Sequence, residues 1–149
     1  MAERKRITFE TQMPPSSIIS GDKNMLSTVV RNLLANAVKF TAKGGTVTLN
    51  ISPRICTDAA CHVSTVVVSI TDTGIGMSPE QQQNLFRLDV QQSRKGTAGE
   101  QGSGLGLIVC REFLEKNNAT LYVESEEGRG SRFWFACTSY PKGINAKHK

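Results

Sequence analysis

Val66–Gly76 reads VVVSITDTGIG, and the fold turns on this stretch. Its run of Val, Ile and Thr suits a pleated, packed surface and predicts a buried strand over Val63–Asp72. The strand ends in Asp72, and Gly74-Ile-Gly76 follows at once. Glycines there permit a turn that a Cβ would block, and let a ligand approach the backbone. Asp72 therefore stands where a strand leaves the core and meets a pocket. An ionised carboxylate accepts hydrogen bonds and donates none. The exocyclic nitrogen of an amino-purine is a matching donor. An aspartate after a strand also caps turns without any ligand, and this stretch alone does not separate the two readings.

Upstream, Asp22 is a good N-cap, and a long helix is predicted to run to about Phe40. Leu26, Val29, Val30, Leu33, Leu34, Ala37 and Val38 recur at three and four, so one face is buried. AKGG at Ala42–Gly45 stops the helix. Asn32, Asn36 and Phe40 are four apart and form one stripe beside the apolar face, with Lys39 at the same edge. Asn is a poor residue for a helix interior, because its side chain competes for backbone bonds. An amide oxygen suits Mg²⁺, which takes few protein ligands and completes its shell with water and phosphate. A solvated polar face explains the same pair of asparagines.

Downstream, Ser78-Pro79-Glu80 opens a short helix to about Phe86, with Leu85 and Phe86 packing it down. Asp89–Ser103 is polar, glycine-rich and aperiodic, about fifteen residues of the kind that forms lids or disordered segments. It runs into GSGLGL at Gly102–Leu107, which opens a helix to about Asn117 with Val109, Phe113 and Leu114 on its buried face. Glycines at a helix N-terminus free backbone N–H groups to face an anion, and Arg94 and Lys95 add positive charge nearby. A plain flexible cap fits the same residues. The strand that a Rossmann or P-loop site needs immediately before the glycines is missing. Ile7–Gln12 predicts a half-buried strand, Met13–Ser20 a loop, and Thr46–Ser52 a strand. Thr120–Glu124 and Arg132–Thr138 predict a hairpin turning at Gly128-Arg-Gly130, with Ser139–Lys149 a frayed tail.

At 149 residues the chain is long enough for one domain with its own core. No apolar run approaches the ~20 residues of a membrane span, and Met1–Arg6 lacks the apolar region of a signal peptide. The net charge of +5 comes without aromatic-and-basic interleaving or DNA-binding spacing, so no nucleic-acid partner is expected. Cys110 and Cys137 read as small core residues. Cys56, Cys61 and His62 lack a second ligand pair, so a hairpin loop explains them better than a metal site. With no secretion signal, reduced thiols and a cytoplasmic setting are expected.

The order of these features is more specific than any one of them. NLLANAVKFT at Asn32–Thr41, DTGIGM at Asp72–Met77, GSGLGL at Gly102–Leu107 and GRGSRF at Gly128–Phe133 follow one another in the chain. Together they resemble the ATP-binding catalytic domain of sensor histidine kinases, a family related to gyrase, mismatch-repair ATPases and heat-shock chaperones. The resemblance covers Asp22–Thr138, with residues 1–21 as an opening strand and loop of the same domain and 139–149 as a tail. It implies an α+β fold, a two-layer α/β sandwich with a mixed sheet of about five strands packed on three helices and a long ATP lid. It also implies Mg-ATP as cofactor, with Asn36 as the Mg²⁺ ligand, Asn32 assisting and Lys39 on phosphate. Asp72 would bind the adenine amino group, with Gly74, Ile75, Gly76 and Met77 beside it, and Phe40 would border the same pocket. Ser131 would support Asp72, often through water. Lys95, Gly102, Ser103, Gly104, Leu105, Gly106 and Leu107 would form the lid hinge and phosphate cradle.

Two departures accompany the resemblance. LFRLDVQQS at Leu85–Ser93 lacks the family's second aromatic after Phe86, which bears on how the lid is anchored. His62 and His148 are the only histidines, and neither falls on a predicted helix that could carry a phosphoacceptor. The expected partners are therefore a helical dimerisation and phosphoacceptor domain, then a response regulator. No membrane contact is expected of this domain, and on its own it should be monomeric. The hydrolases of the superfamily place a glutamate four residues before the Mg²⁺ asparagine. Here that place holds Asn32, which takes no proton at neutral pH, so rapid ATP hydrolysis is not expected. Two other readings fit much of the same pattern: a non-catalytic nucleotide-binding module, and a serine kinase of the anti-sigma type.

Overall fold

The computed structural model describes residues 5–12, 21–54, 64–86 and 106–139. In chain order they form β1 (Thr8–Gln12), α1 (Lys23–Phe40), β2 (Thr46–Arg54), β3 (Ser64–Asp72), α2 (Pro79–Gln83), α3 (Gly106–Lys116), β4 (Tyr122–Glu126) and β5 (Gly130–Ser139). The strands make one sheet in the order β1-β2-β3-β5-β4. β1 runs parallel to β2 and every other pair is antiparallel, so the sheet is mixed.

Alternation along β3 sends Val66, Val68 and Ile70 to one face, and the cross-strand partners Cys137, Phe135 and Phe133 follow them. That face packs against Val29, Leu33 and Ala37 of α1 and Cys110 and Leu114 of α3 in a single core. Phe135, Leu33, Ile70 and Leu114 are buried completely, and each such side chain contributes about 1.5–3 kcal/mol. α1 and α3 also touch directly at their far ends, where the Asn117 side chain accepts from Asp22 N at 2.7 Å. On the other face Trp134 stacks on Tyr122 with centroids 5.4 Å apart. The helices therefore cover one side of the sheet, as a two-layer sandwich requires.

α1 starts as its cap predicts, with the Asp22 carboxylate accepting from Met25 N at 3.0 Å. Its buried residues, Val29, Leu33, Ala37 and Val38, are four of the seven apolar positions of the expected face, and Leu26, Val30 and Leu34 pack beside them half-buried.

Several expectations need correction. Of the expected half-buried strand Ile7–Gln12, Ile7 is half-buried against the core, but the five residues of β1 are exposed at the edge of the sheet; Phe9 is 50% exposed. β2 continues past Ser52 through Pro53 and Arg54. The β1 pairing stops at Asn50, so among the described residues the missing N–H of Pro53 costs no ladder bond. α2 ends at Gln83, not near Phe86, because the chain tightens into a turn that brings Leu85 and Phe86 against the core. On α3 the buried residues are Ile108, Cys110 and Leu114. Phe113 is half-buried against the core and Val109 lies outside it. β4 begins at Tyr122 and β5 at Gly130, each two residues from the predicted starts. The predicted lid at Asp89–Ser103, the tail beyond Ser139, and the group Cys56, Cys61 and His62 lie outside the described residues.

Candidate functional site

Asp72 is the last residue of β3 and only 6% exposed. Its Oδ1 accepts from Gly74 N at 2.9 Å and from Ser131 N at 3.2 Å. No described residue donates to Oδ2. Burial pushes the carboxyl above the usual aspartate range, and the two backbone donors pull the other way. One oxygen thus closes the turn, as the turn-capping reading expects.

The glycines after Asp72 are needed for close approach. A Cβ on Gly74 would lie 2.2 Å from the Phe40 carbonyl oxygen. The same carbonyl accepts from Ile75 N at 3.1 Å, which ties the segment to the end of α1. Gly76 has φ +68, and a Cβ there would lie 2.0 Å from the Glu126 carbonyl oxygen. Gly128 N then donates to the Ile75 carbonyl at 2.7 Å, so the segment is wedged between α1 and the β4–β5 turn. Met77 is buried behind it, and Ile75 is 37% exposed.

On α1, Asn32, Asn36, Lys39 and Phe40 are all half-buried. The amide of Asn32 lies 4.0 Å from where a Cβ on Gly106 would be, so it faces the first turn of α3. Cys110 Sγ, on the next turn of α3, donates to the Val29 carbonyl at 3.7 Å, and burial pushes this thiol up to about 11 while the nearby Asn32 side chain acts the other way. The Lys39 ammonium sits 5.0 Å from the centroid of the Phe40 ring. The structure therefore brings Phe40, Asp72, Gly74, Ile75, Gly76, Met77 and Ser131 together at one end of the sheet, and brings Asn32 to Gly106. Leu107 packs on the core. Lys95, Gly102, Ser103, Gly104 and Leu105 lie outside the described residues.

Three residues that sequence reasoning missed support this end of the molecule. Lys5 is buried, and its Nζ donates to the carbonyls of Val38 at 2.9 Å and Lys39 at 2.8 Å. A cation there closes the orphan carbonyls of α1 and meets the negative end of its dipole. Ser125 Oγ accepts from Met77 N at 2.8 Å. Gln82 donates to the carbonyls of Met77 at 3.2 Å and Ser125 at 3.0 Å, fixing α2 to the sheet. Only the register of the hairpin, which puts Ser125 opposite Ser131, could have pointed to Ser125 beforehand. An apolar cleft of about 500 Å³ lies elsewhere, among Leu26, Val30, Leu34, Leu49 and Ile51, and no site residue lines it. Among the described residues no three His, Cys, Asp or Glu side chains converge as a metal site.

A mixed sheet with helices on one face, and a buried aspartate and a glycine wedge at one end, makes a two-layer α/β sandwich with a candidate ligand site. The family described as histidine kinase-, DNA gyrase B-, and HSP90-like ATPase matches residues 21–140, and the chain belongs to it. Within that family the similarity is to sensor histidine kinases. The adaptive-response sensory kinase SasA of Microcystis aeruginosa is 32% identical over 139 residues, covering 93% of this chain and 34% of that protein. The chain thus spans about a third of that relative's length. Among solved structures, the mycobacterial sensor histidine kinase MprB superposes with TM-score 0.71 at 26% identity, covering 94% of this chain and 87% of the other. Full-length ShkA in complex with AMPPNP superposes with TM-score 0.68 at 28% identity, covering 97% of this chain and 28% of the other. The fold is that of the histidine kinase catalytic domain.

Proposed function

We propose that this domain binds Mg-ATP and passes the γ-phosphoryl group to a histidine on a helical dimerisation domain, from which a response regulator is served. The observation that carries the reading is Asp72, buried with one oxygen committed to the turn and the other free to accept. A buried acceptor of this kind recognises the amino group of adenine. Gly74, Ile75, Gly76 and Met77 would shape the rest of the base site, and Ser131 would stand beside Asp72.

The α1 stripe suits the triphosphate end. Asn36 carries a hard amide oxygen, Asn32 lies one turn earlier facing α3, and Lys39 supplies positive charge. Bound Mg²⁺ would neutralise charge on the phosphates. Lys95 and Gly102–Leu107 would complete the phosphate cradle and lid. Every described member of this set fits those groups without a clash of charge. Asn32 stands where the hydrolases of the superfamily carry a glutamate base, so water is not activated and the phosphoryl group awaits a histidine nitrogen. Catalysis then rests on positioning and charge neutralisation. The described residues hold no helix long and apolar enough to cross a membrane.

Calorimetry with a non-hydrolysable ATP analogue, with and without Mg²⁺, tests the binding step on wild type and Asp72→Asn. Mg²⁺-dependent binding that the substitution removes supports the reading, and equal binding by both proteins refutes it. Adding a phosphoacceptor helical domain and labelled ATP tests transfer. Tight ATP binding with no transfer to any histidine would leave a nucleotide-binding module, and transfer to a serine protein would make it a kinase of the anti-sigma type.

A further inference from the structure

Asp72, Ser131 and Ser125 form one cross-strand row, Asp72 opposite Ser131 and Ser131 opposite Ser125. Paired residues point to the same face, so the three side chains share the side of the sheet that carries the helices. A serine hydroxyl has one proton to donate and two lone pairs to accept with. Ser125 uses all three. Its proton goes to the Gly130 carbonyl at 3.0 Å, which can only accept. One lone pair takes Met77 N–H at 2.8 Å, which can only donate. The remaining contact, Ser131 Oγ at 2.7 Å, must then be one in which Ser131 is the donor.

We infer that Ser125 is a positioning residue that fixes the hydrogen-bond polarity of the base site, by taking the Ser131 hydroxyl proton and leaving Ser131 to face the ligand as an acceptor only. The inference rests on the reading of Asp72 as the residue that meets the base. With Asp72 Oδ2 also an acceptor, these two side chains present two acceptors in one cross-strand pair. A 6-aminopurine offers the protons of its amino group directly to them. A 6-oxopurine puts a carbonyl oxygen there instead and is repelled. Ser125 thereby contributes to the choice between the two classes of purine without touching either.

The test compares ATP with inosine triphosphate by calorimetry in wild type, Ser125→Ala, Ser125→Thr and Ser131→Ala. Wild type should prefer ATP. Ser125→Ala frees the Ser131 hydroxyl to rotate and donate to the 6-oxo group, so the ratio of affinities should narrow by roughly three- to tenfold. Ser125→Thr keeps the hydroxyl and should restore the wild-type ratio. A merely structural role would weaken both nucleotides equally, and an unchanged ratio in folded Ser125→Ala overturns the inference. Should Ser125→Ala not fold, Ser131→Ala decides: it removes the fixed acceptor, and an unchanged ratio there is equally fatal. Asp72→Asn, measured alongside, separates the two levels of failure. If it leaves ATP binding intact, the base-site reading itself falls. If it removes the preference while Ser125→Ala does not change it, only the role of Ser125 falls.

Discussion

Asp72 is pulled in two directions, upward by burial and downward by its two backbone donors. Its native pKa lies above the unfolded value of 3.8, with desolvation as the main cause. Between 3.8 and the raised value the native state binds more protons than the unfolded one, so stability falls as pH rises through that window. This group's contribution is fully present below 3.8 and lost above the native pKa. Nucleotide affinity should run the opposite way, because a protonated Oδ2 no longer offers a free acceptor to an amino group. Acid titration of the ATP-analogue Kd should therefore show weakening as pH falls through the native pKa, while apo stability from this group improves. Asp72→Asn should flatten both profiles. It keeps an acceptor for Gly74 N and Ser131 N, removes the charge, and should lower affinity roughly ten- to a hundredfold at neutral pH without loss of melting temperature. The place of Asp72 at the end of a strand was legible from the β-branched run before it and the glycines after it, whereas Ser131 entered only through the family resemblance. Ser125, Gln82 and Lys5 were not legible, because their contacts depend on register and long-range packing: Lys5 meets Val38 across 33 positions of chain.

Among the elements, α1 was legible almost to the residue, since Asp22 caps one end and the apolar spacing runs unbroken to Val38. α2 and β1 were not. A sequence pattern reports that Leu85 and Phe86 are buried, but not that a turn rather than a helix buries them. Nor does alternation in Thr8–Gln12 say that the strand sits at the edge of the sheet with both faces exposed. The stripe on α1 makes its own prediction. Asn36→Ala should reduce the Mg²⁺-dependent part of ATP-analogue affinity and lower phosphotransfer, with little change in Mg²⁺-free binding. Equal losses with and without Mg²⁺ would remove Asn36 from the metal site. The segment between β3 and α2 makes another. Gly76→Ala forces a Cβ against the Glu126 carbonyl at a left-handed φ, so urea unfolding should show a loss of about 1–3 kcal/mol. Gly128→Ala, whose Cβ meets nothing within 4 Å, should cost less by the same measurement, though its φ of +85 is also left-handed.

Over the whole molecule, the site exists only because distant stretches close on one another. Ser131 N reaches Asp72 across 59 positions, and Ile75 is held by Phe40 on one side and Gly128 on the other. The neighbours of β3 are β2 and β5, and no local pattern announces that β5 rather than β4 lies beside it. A site assembled this way is absent from the unfolded chain, so a ligand that occupies it must stabilise the entire fold by mass action. At a hundredfold excess over Kd the gain is about 2.7 kcal/mol, and for a domain of this size the melting temperature should rise by roughly 5–10 °C. Scanning calorimetry with an ATP analogue and Mg²⁺ should show that shift in wild type and a much smaller one in Asp72→Asn at the same nucleotide concentration. Because Asp72→Asn leaves the core and both backbone donors of the turn in place, its own apo melting temperature serves as the baseline. A full shift in that variant would mean that the nucleotide binds away from the β3–β5 end of the sheet, and the family fold would then be carrying its ligand somewhere other than at Asp72.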